Sequence, residues 1–569
     1  MDEYVWDVAP GEAARVQELM DVAAVSRPTA LVLATRGITP QTVAAFLDPS
    51  LQHLSDPFDL PGTRQAAERL WRAILNGERI LVHGDYDTDG ITAAALTSWV
   101  LRRNGADTEC YLPHRIDDGY GLTVESIEKA CADKCRLLLT VDCGITSYAA
   151  IRMARERGLD VIITDHHMPG TEPMDAHTVV DPKLPGAAPE VQDLAGVGVA
   201  FKVCHAFIKY GRQHGLGGED TDLRQGLDLV ALGTVADIVP LLHENRLLVK
   251  HGLAVLARQQ RPGVHALCEI AGIRQALCTA DITYRLAPRL NATGRMGDPT
   301  DSLRLLEADS MVDAFALARS LDDHNRQRQL IEEEVVQSAE AQIVRIYDLE
   351  KCRAIVVWSD LWHQGVVGIV ASRLARRYNR PAVVLTRDPS GQYTGSARSV
   401  RRISLVDLLE QCRHSLVRFG GHAMAAGLSM EAHLLPDFCR DFECAVGLVL
   451  GADAMRAQLE ISGEVRLDEL TEQFFAELER LQPFGHSNPE PMLLTRHVVP
   501  ERRVLIGKTH TKGILRDAHG GKLPFIAFGR LPEEFPEPPW DVVYTPQLNR
   551  FNGTETAQLR LLDVRTCQP

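Results

Sequence analysis

Between residues 79 and 240, short apolar runs alternate with stretches of helical character, and this alternation constrains the fold more than any other feature. The runs RILVHGD, CRLLLTVDCG and DVIITDHH are separated by helical stretches such as ITAAALTSWVLRRNG and SYAAIRMARERG. A fourth apolar run, LDLVALGTVADIVPL, is interpreted as a strand in the same series. Strands separated by helices predict βαβ units and a parallel sheet. Ligands of such sheets bind at the carboxyl ends of the strands.

The remaining segments differ in character, and the length of 569 residues accommodates several domains. We predict an irregular, helical lead-in over residues 1–60, the sheet-containing domain over 61–307 and a polar connecting helix over 308–350. Residues 351–452 show a second, smaller α/β pattern. Residues 453–569 contain short strand-like runs with Gly and Pro turns, which are typical of a small β-barrel.

Composition excludes several classes of protein. Hydrophobic residues make up 45% of the chain, which is ordinary for a globular protein. The opening MDEYVWDVAPGE has no apolar signal region, and no uncharged apolar stretch of about 18 residues occurs, so we expect neither a signal peptide nor a membrane span. The 12 cysteines include no C-x-x-C pair, which indicates reduced thiols and a cytoplasmic location rather than disulfides or a zinc site.

Charge is distributed unevenly around a formal net charge of −15. Residues 301–350 hold 5 Lys and Arg against 12 Asp and Glu, whereas residues 351–420 hold 12 against 4. A basic region inside an acidic protein can bind phosphates, or it can be the solvated face of a helix. The charge pattern alone leaves both interpretations open.

Four clusters of acidic and histidine residues follow the four apolar runs: HGDYDTDG (83–90), VDCG (141–144), TDHH (164–167) and VADIVP (235–240). A single Asp at a strand end commonly does no more than cap the next helix. Four clusters at successive strand ends would meet at one edge, and buried carboxylates cannot share a site without cations. Oxygen and imidazole ligands without thiolates favour Mn²⁺ or Mg²⁺ over structural zinc. Two such ions, about 3.5–4 Å apart, would suit in-line attack on phosphorus.

The TDHH cluster, together with GDYDTDG and VDCG, resembles the DHH phosphoesterase superfamily. Motifs along nearly the whole chain are similar to those of the bacterial RecJ exonucleases: PHRIDDGYGL, LAPRLNATGRM, HQGVVGIVASRL, GSARS, GGHAMAAG, PFGHSNPEP and FNGTETAQLRLLD. The resemblance implies an α/β fold with a parallel-sheet DHH domain, a long connecting helix, a smaller DHHA1-type domain and a C-terminal OB-fold barrel. It also implies 5′→3′ hydrolysis of single-stranded DNA to 5′-mononucleotides, by two-metal-ion catalysis, in DNA repair and recombination.

The same resemblance implies roles for individual residues. One divalent cation, Mn²⁺ or Mg²⁺, is expected on His83, Asp87 and Asp142. The other is expected on a set that shares Asp142 as the bridge: Asp89, Asp142, His166 and Asp237. His167 is expected to touch the scissile phosphate, and Asp85 to lie beside the metal ligands or to provide an alternative coordination. Either of these two residues could instead only orient the ligands.

Candidate DNA contacts lie in the remaining motifs. The first domain offers Arg115, Arg289 and Arg295. The second domain offers His363, Ser372, Arg373, Ser396, Arg398, Gly420, Gly421 and His422. The barrel offers Lys508, His510, Lys512, Arg550 and Phe551, whereas its core is expected to contain Phe484, Phe525, Phe528 and Trp540. A pocket of arginines near the metals could hold a terminal 5′-phosphate bidentately and so set the direction of digestion.

Two positions depart from the family pattern. Ser487 stands in PFGHSNPEP where the family has Gly, and Phe551 stands where it has Trp. Both lie in the C-terminal segments, so they bear on the details of the barrel junction and not on the metal ligands.

Two other interpretations compete with the exonuclease. One is a DHH enzyme that acts on short oligoribonucleotides, cyclic dinucleotides or pyrophosphate, which the extra barrel and the LAPRLNATGRM segment disfavour. The other is an inactive scaffold for replication proteins, which the intact set of metal ligands disfavours. The resemblance further implies single-stranded-DNA-binding protein and a RecQ-type helicase as partners. We expect a monomer with no membrane association.

Overall fold

The computed structural model describes residues 4–114, 121–274, 277–400, 403–450, 456–551 and 554–567. Arg115 lies outside the described residues, as do the side chains of Arg550 and Phe551.

The first half of the chain forms an N-terminal segment and a large α/β unit. The N-terminal segment contains β1 (Tyr4–Val8), α1 (Ala13–Ala23), α2 (Arg27–Thr35) and α3 (Val43–Leu47). The strands of the α/β unit are β2 (Ile80–His83), β3 (Thr108–Tyr111), β4 (Leu137–Val141), β5 (Asp160–Thr164) and β6 (Thr178–Val180). Its helices are α4 (Thr63–Leu75), α5 (Thr88–Arg103), α6 (Val124–Ala132), α7 (Tyr148–Glu156), α8 (Gly196–His214), α9 (Leu227–Ala236), α10 (His243–Leu256), α11 (Pro262–Ile270), α12 (Thr279–Asp281), α13 (Ala287–Met296) and α14 (Thr300–Glu307).

The second half contains a long helix, a smaller α/β unit and a barrel. The long helix is α15 (Met311–Ile346). The smaller unit consists of β7 (Ile355–Ser359), α16 (Val367–Tyr378), β8 (Ala382–Arg387), β9 (Tyr393–Arg398), α17 (Leu405–Gln411), β10 (Arg418–Gly421), β11 (Ala425–Met430) and α18 (Leu435–Val449). The C-terminal unit consists of β12 (Ala457–Ile461), β13 (Gly463–Glu464), α19 (Glu472–Leu481), β14 (Leu493–Ile506), β15 (His510–Arg516), β16 (Lys522–Ala527), β17 (Trp540–Phe551) and β18 (Thr554–Thr566).

The large α/β unit is built on a parallel sheet with the strand order β3-β2-β4-β5-β6. Alternate side chains of a strand point to opposite faces. Ile80 and Val82 therefore pack in the core formed with α4, α5, α8 and α9, whereas Leu81 packs on the opposite face with α6 and α7. Because helices cover both faces, these strands are continuous apolar runs. This burial explains why the sequence pattern located β2, β4 and β5.

The prediction that the fourth apolar run is a strand is wrong. Residues 227–236 form helix α9, and all but the last of its residues are buried. A helix surrounded by protein is apolar on every side, so its sequence lacks the amphipathic period that would distinguish it from a buried strand. Asp237 consequently follows the end of a helix, and not the end of a strand, although it reaches the same edge of the sheet.

Helix α15 connects the two α/β units. It is 36 residues long, and its N-cap is Ser310, whose side chain accepts a hydrogen bond from the Asp313 N–H. Its first part packs on α11, α13 and α14, and its later part packs on β7 and α16. The smaller unit contains a mixed sheet with the order β10-β11-β9-β8-β7, in which only β7 and β8 are parallel.

The C-terminal unit is a closed barrel. Five strands pair in the order β14-β15-β16-β18-β17, and an antiparallel pairing between β14 and β17 closes the ring. Its core includes Phe474, Phe525 and Trp540, each fully buried. The predicted fold class is confirmed, from the parallel-sheet unit through the long helix and the second α/β unit to the barrel. Among the described residues, no helix combines the length and apolarity needed to span a membrane.

The N-terminal segment packs against the barrel, which is distant in sequence. Strand β1 pairs in parallel with β12, and Leu19, Leu33 and Phe46 share the barrel's hydrophobic core. Because the two segments bury apolar surface against each other, we expect them to be stable as one body rather than separately.

One buried arginine joins this body to the large α/β unit. Arg246 on α10 donates hydrogen bonds of 3.0–3.2 Å to the backbone carbonyls of Phe46, Arg480 and Leu481. Its guanidinium carbon also lies 3.9 Å from the centre of the Phe46 ring. Burial lowers the pKa of Arg246 to about 9. The contacts satisfy three carbonyls that would otherwise lose their hydrogen-bond donors in a buried junction.

The substitution Arg246→Ala should lower the free energy of unfolding by about 3 kcal/mol. The junction would lose hydrogen bonds from a charged donor, and three carbonyls would stay buried without a donor. Urea denaturation followed by circular dichroism measures the change. The exposed Arg258, two residues beyond α10, provides the matched control. Arg258→Ala should change stability by less than about 0.5 kcal/mol. Equal losses in the two variants would contradict the role of Arg246.

Candidate metal centre

Strand β2 ends in a segment that carries several of the predicted site residues. His83 is the last residue of β2 and is fully buried, with its Nδ1 atom 3.5 Å from Cys143 Sγ. Asp85, two residues later, is also buried. Both side chains therefore lie at the carboxyl edge of the sheet, where a parallel α/β sheet binds its ligands.

Asp87 and Asp89 are held by the N-termini of two helices. Asp87 caps α5, since its Oδ1 accepts a hydrogen bond of 2.9 Å from the Asp89 N–H. Asp89 in turn accepts hydrogen bonds from the N–H groups of Gly196 at 2.6 Å and Val197 at 2.8 Å, at the start of α8. Helix N-termini favour negative charge. The capping role and the predicted metal-binding role of these carboxylates are therefore compatible.

Asp142 follows β4 in a strained backbone conformation. Its φ of 63° lies in the left-handed region, which non-glycine residues rarely adopt. The Asp142 N–H still donates to the Thr164 carbonyl at 3.0 Å, so the turn is held by β5. A Cβ atom at Gly196 would lie 2.3 Å from Asp142 Oδ1, so only glycine leaves room for the carboxylate. Strain of this kind is concentrated at functional sites.

His166 brings the carboxylates together. Its Nε2 atom lies 3.1 Å from Asp142 Oδ1, 3.6 Å from Asp237 Oδ2 and 3.9 Å from Asp89 Oδ2. Although Asp142 Oδ1 and His166 Nε2 are buried and close, neither has a hydrogen-bond partner among the described residues. Buried polar atoms without such partners are rare and indicate a missing ligand or ion.

The ligand-type atoms form three overlapping groups, each within a span of 4.8 Å: Asp85, Asp87 and Asp142; Asp142, His166 and His167; and Asp89, His166 and Asp237. Asp142 belongs to two groups, as the predicted bridging role requires. The third group matches most of the second predicted set. The first differs from the prediction, since Asp85 rather than His83 is grouped with Asp87 and Asp142.

The electrostatics of this edge fit divalent cations. Burial, together with the charge of Asp87, raises the pKa of Asp89 to about 7. Burial and the neighbouring carboxylates also raise the pKa values of Asp142 and Asp237 well above the ordinary range. Burial and the charge of His167 lower the pKa of His166 to about 3, so its imidazole is neutral. A neutral imidazole among mutually repelling carboxylates is the donor set that Mn²⁺ or Mg²⁺ would satisfy.

Asp165 is a site residue that the sequence prediction overlooked. Its Oδ1 lies 2.7 Å from His167 Nδ1, and its Oδ2 accepts a hydrogen bond of 2.9 Å from the Ile145 N–H. Burial alone would lower the pKa of His167, but the hydrogen bond and charge of Asp165 outweigh it and raise that pKa. A carboxylate that fixes the orientation of an imidazole is common beside catalytic and metal sites. The available signal was the position of Asp165 directly before the two histidines of the TDHH cluster.

An arginine-lined cleft of about 860 Å³ lies between the two α/β units. Its cations are Arg295, Arg328, Arg373, Arg376, Arg377 and Arg398, against the carboxylates Glu332 and Glu333. Four predicted DNA contacts line it: Arg295, Ser372, Arg373 and Arg398. Sequence reasoning missed Arg328, Arg376 and Arg377, although the last two lie in the basic stretch of α16.

The cleft begins close to the carboxylate cluster. Arg295 lies on α13, and Asn291 of the same helix accepts hydrogen bonds of 2.7 and 2.8 Å from the N–H and Oγ1 of Thr88. Thr88 stands between Asp87 and Asp89. The Arg295 guanidinium also donates to the Gly365 carbonyl at 3.2 Å and so joins the two units at the start of the cleft.

The other predicted DNA contacts are more dispersed. Ser396 lies on the same face of β9 as Arg398, because it is two residues away. His363 Nδ1 accepts a hydrogen bond from the Gly365 N–H at 3.1 Å, beside the start of the cleft. The edge strand β10 ends in Gly420 and Gly421, and His422 follows them on the surface. Arg289 is not among the residues that line the cleft, and its guanidinium pairs with Asp322 at 2.8 Å.

The barrel presents an apolar and basic outer face. Lys512 and His510 on β15 point outward, and the Phe528 ring makes an edge-to-face contact with His510 at 5.2 Å.

The prediction that Phe528 lies in the core is wrong, because its side chain is 57% exposed. Side chains alternate along β16 and beyond it, so Phe525 and Ala527 point inward while Ile526 and Phe528 point outward. Phe525 and Trp540 are in the core as predicted, and Phe484 packs against it.

Comparison with known proteins agrees with this architecture. The DHH family N-terminal domain matches residues 79–234, the DHHA1 domain matches 351–447 and the RecJ OB domain matches 461–563. A solved structure of RecJ from Thermus thermophilus in complex with Mn²⁺ superimposes with a TM-score of 0.84 and 32% identity, covering 100% of this chain and 80% of that one. Fold and carboxylate centre together define a DHH-type phosphoesterase.

Curated relatives specify the family more narrowly. The single-stranded-DNA-specific exonuclease RecJ of Bacillus subtilis strain 168 is 36% identical over 568 residues, which are 98% of this chain and 70% of that protein. The exonuclease RecJ of Dickeya dadantii strain 3937 is 37% identical, over 90% of this chain and 92% of that protein. The chain belongs to the RecJ family.

The raised pKa values predict how stability depends on pH without metal. Between about pH 4 and 7 the folded state should hold protons on Asp89 that the unfolded state has released, so the free energy of unfolding should fall as pH rises in chelator. Mn²⁺ should remove this decrease, because its positive charge offsets the negative charge of the ionised carboxylates. Thermal unfolding from pH 5 to 8, with chelator and with Mn²⁺, tests this. Asp89→Asn should make the slope in chelator shallower, while Asp142 and Asp237 keep their own contributions, and parallel slopes in all samples would contradict the assignment.

Proposed function

We propose that this chain is a 5′→3′ exonuclease that hydrolyses single-stranded DNA to 5′-mononucleotides with two divalent cations, Mn²⁺ or Mg²⁺. The observation that carries the proposal is the buried carboxylate centre together with the arginine-lined cleft, which helix α13 links through the hydrogen bonds from Thr88 to Asn291. A cluster of carboxylates alone would repel a phosphodiester. Cations bound by those carboxylates, with arginines beside them, would attract and orient one.

In this proposal Asp142 is shared by the two cations. Asp87 completes one site, with Asp85 or His83. Asp89, His166 and Asp237 complete the other. When bound, the cations supply Lewis acidity that activates water and stabilises charge on the phosphate and the leaving 3′-oxygen. Asp165 holds the His167 imidazole in one orientation, from which the ring can donate a hydrogen bond to the scissile phosphate.

The cleft provides a path for the DNA backbone. Arg295 and Arg398 line it from the two α/β units. A terminal 5′-phosphate bound between them would fix the distance from the 5′ end of the strand to the bond that is cleaved. The outer face of the barrel, with Lys512, His510 and the exposed Phe528 ring, supports binding of unpaired bases farther along the strand. Aromatic stacking beside basic side chains is the usual way in which OB-fold barrels hold single strands.

The biological setting is a further part of the proposal. We place the enzyme in the cytoplasm, as a monomer acting in DNA repair and recombination. The described cysteines form no disulfide, which supports a reducing compartment. A single-stranded-DNA-binding protein and a RecQ-type helicase would supply the accessible single strand that the cleft requires.

A direct test uses a 5′-phosphorylated DNA oligonucleotide labelled at its 3′ end, as a single strand and as a blunt duplex, with Mn²⁺, Mg²⁺ or chelator. Metal-dependent shortening of the single strand from its 5′ end, with little loss of the duplex, is the expected result. If short RNAs or cyclic dinucleotides are hydrolysed while the DNA stays intact, the proposed two-cation chemistry stands but single-stranded DNA is not the substrate. Inactivity on every substrate would favour a scaffold.

The shared ligand gives the sharpest catalytic prediction. Asp142→Ala should abolish turnover, with a loss of at least about 1,000-fold, since both cation sites lose a ligand. Binding of a fluorescent single strand, measured by anisotropy, should largely survive because the cleft and barrel remain. The exposed Asp313 on α15 supplies a control, and Asp313→Ala should leave turnover unchanged. Near-normal turnover of Asp142→Ala would refute the shared-ligand assignment.

Recognition of the terminal 5′-phosphate by the cleft can be tested separately. The wild-type enzyme should prefer a 5′-phosphorylated strand over a 5′-hydroxyl strand, and Arg398→Ala should reduce that preference by about 10-fold or more, the value of one charge-assisted hydrogen bond. Initial rates on the two strands measure it. Arg345→Ala, at the exposed end of α15, should leave the preference unaltered. Equal initial rates of the wild-type enzyme on the two strands would rule out a pocket that recognises the terminal 5′-phosphate.

A further inference from the structure

Asp237 opens the connection between α9 and α10, residues 237–242, and the backbone is unusual both in this connection and at the first residue of α10. Ile238 and His243 adopt φ values of 61° and 46°, in the left-handed region that β-branched and bulky residues avoid. Ile238 is moreover 57% exposed, so burial of its own side chain does little to fix this conformation. Backbone of this kind persists only where surrounding structure determines it. The position of Asp237 therefore depends on what the connection contacts.

The Asn245 side chain of α10 donates a hydrogen bond of 3.0 Å to the Pro240 carbonyl of this connection, and a second contacting element comes from the C-terminal unit. We call residues 483–489 of the PFGHSNPEP motif the junction loop. The His486 carbonyl accepts a hydrogen bond of 2.9 Å from the Leu241 N–H. A Cβ atom at Gly485 would lie 2.6 Å from Leu241 Cδ1, so the loop backbone packs directly on that buried side chain. The Phe484 carbonyl also accepts a hydrogen bond of 2.6 Å from Thr279 Oγ1 of α12.

The junction loop is itself braced. Gly485 and Asn488 exchange two backbone hydrogen bonds, of 2.9 and 3.2 Å. The fully buried Asn488 side chain donates to the Leu481 and Pro483 carbonyls and accepts from Arg36, which follows α2, at 2.6 Å. Because every part of the Asn488 amide is used, the loop is a stiff element rather than a flexible linker.

The other candidate ligands depend on different supports. Asp87 and Asp89 are bonded to the N-termini of α5 and α8, and the backbone of Asp142 is bonded to β5, all within the large α/β unit. Among the described contacts of the predicted metal ligands, the Asp237 connection is thus the one that reaches the C-terminal unit. A disturbance of the junction loop should weaken one cation site and spare the other.

We propose that the junction loop positions Asp237 for cation binding, so that docking of the C-terminal unit sets the affinity of the site formed by Asp89, His166 and Asp237. The proposal rests on the proposed two-cation function. Gly485 and the His486 carbonyl are its positioning elements, since they act through their contacts with Leu241.

The test compares the full-length wild-type protein with Gly485→Ala, whose added methyl group must displace Leu241. Mn²⁺ binding is measured by calorimetry and by electron paramagnetic resonance, without DNA. One of two Mn²⁺ sites should weaken by about 10- to 100-fold, the usual effect of disturbing a group that orients a metal ligand, while the other changes little. The Mn²⁺ concentration for half-maximal exonuclease activity should rise in parallel, and kcat at saturating Mn²⁺ should largely recover.

A second substitution provides rescue. Leu241→Val removes the Cδ1 atom that the new methyl group would strike, so the double variant Gly485→Ala/Leu241→Val should regain much of the lost Mn²⁺ affinity. Leu241→Val alone should bind Mn²⁺ almost as the wild type does. A general loss of stability would lower the melting temperature without this pattern of selective loss and rescue.

The outcomes separate the two proposals. A wild-type protein that neither binds Mn²⁺ nor digests DNA would overturn the proposed function. Normal wild-type behaviour together with unaltered Mn²⁺ affinities in Gly485→Ala would overturn the positioning role alone, as would equal weakening of both sites. Should Gly485→Ala not fold, Thr279→Val removes one anchor of the loop without adding bulk. It should then weaken the same single site by a few-fold, and unchanged affinity would again overturn the role.

Discussion

The mutual repulsion of carboxylates at one buried edge is the constraint on which this structure depends. Asp85, Asp87, Asp89 and Asp142 are brought together by the parallel sheet, and burial with the charge of neighbouring carboxylates raises the pKa values of Asp89 and Asp142. Hydrophobic burial of the strands and helices around them supplies the free energy that holds this arrangement. Helix N-termini and a left-handed backbone at Asp142 then fix each carboxylate individually. The centre is preorganised for divalent cations and unfavourable without them.

The architecture separates two opposite electrostatic tasks. The large α/β unit concentrates negative charge at its sheet edge, whereas α16 and β9 of the smaller unit contribute the arginines of the cleft. Helix α15 sets the distance between the units, and its glutamates pair with some of those arginines. The local basic region found in the sequence thus contributes arginines to this cleft. The barrel and the N-terminal segment form a third body, joined to the first by Arg246 and the junction loop.

Much of the fold could be predicted because burial leaves a direct trace in sequence. Strands β2, β4 and β5 are covered on both faces and are continuous apolar runs, and the polar clusters that follow them lie close together at one edge of the sheet. The same reasoning failed for α9, since a helix enclosed on all sides has no amphipathic period. Phe528 was misplaced because composition cannot tell on which side of a barrel strand an aromatic residue falls.

The sequence by itself determined the chemistry of the ligands, the family and the order of the units, since these depend on residue types and their local spacing. Only the tertiary structure decided which groups act together. It placed Asp165 against His167, grouped Asp85 with Asp87 and Asp142, turned Arg289 towards Asp322, and built β1 and β12 into one sheet across more than 400 residues. Such pairings are set by long-range packing and by the need to satisfy buried polar groups, and neither of these leaves a local pattern in the chain.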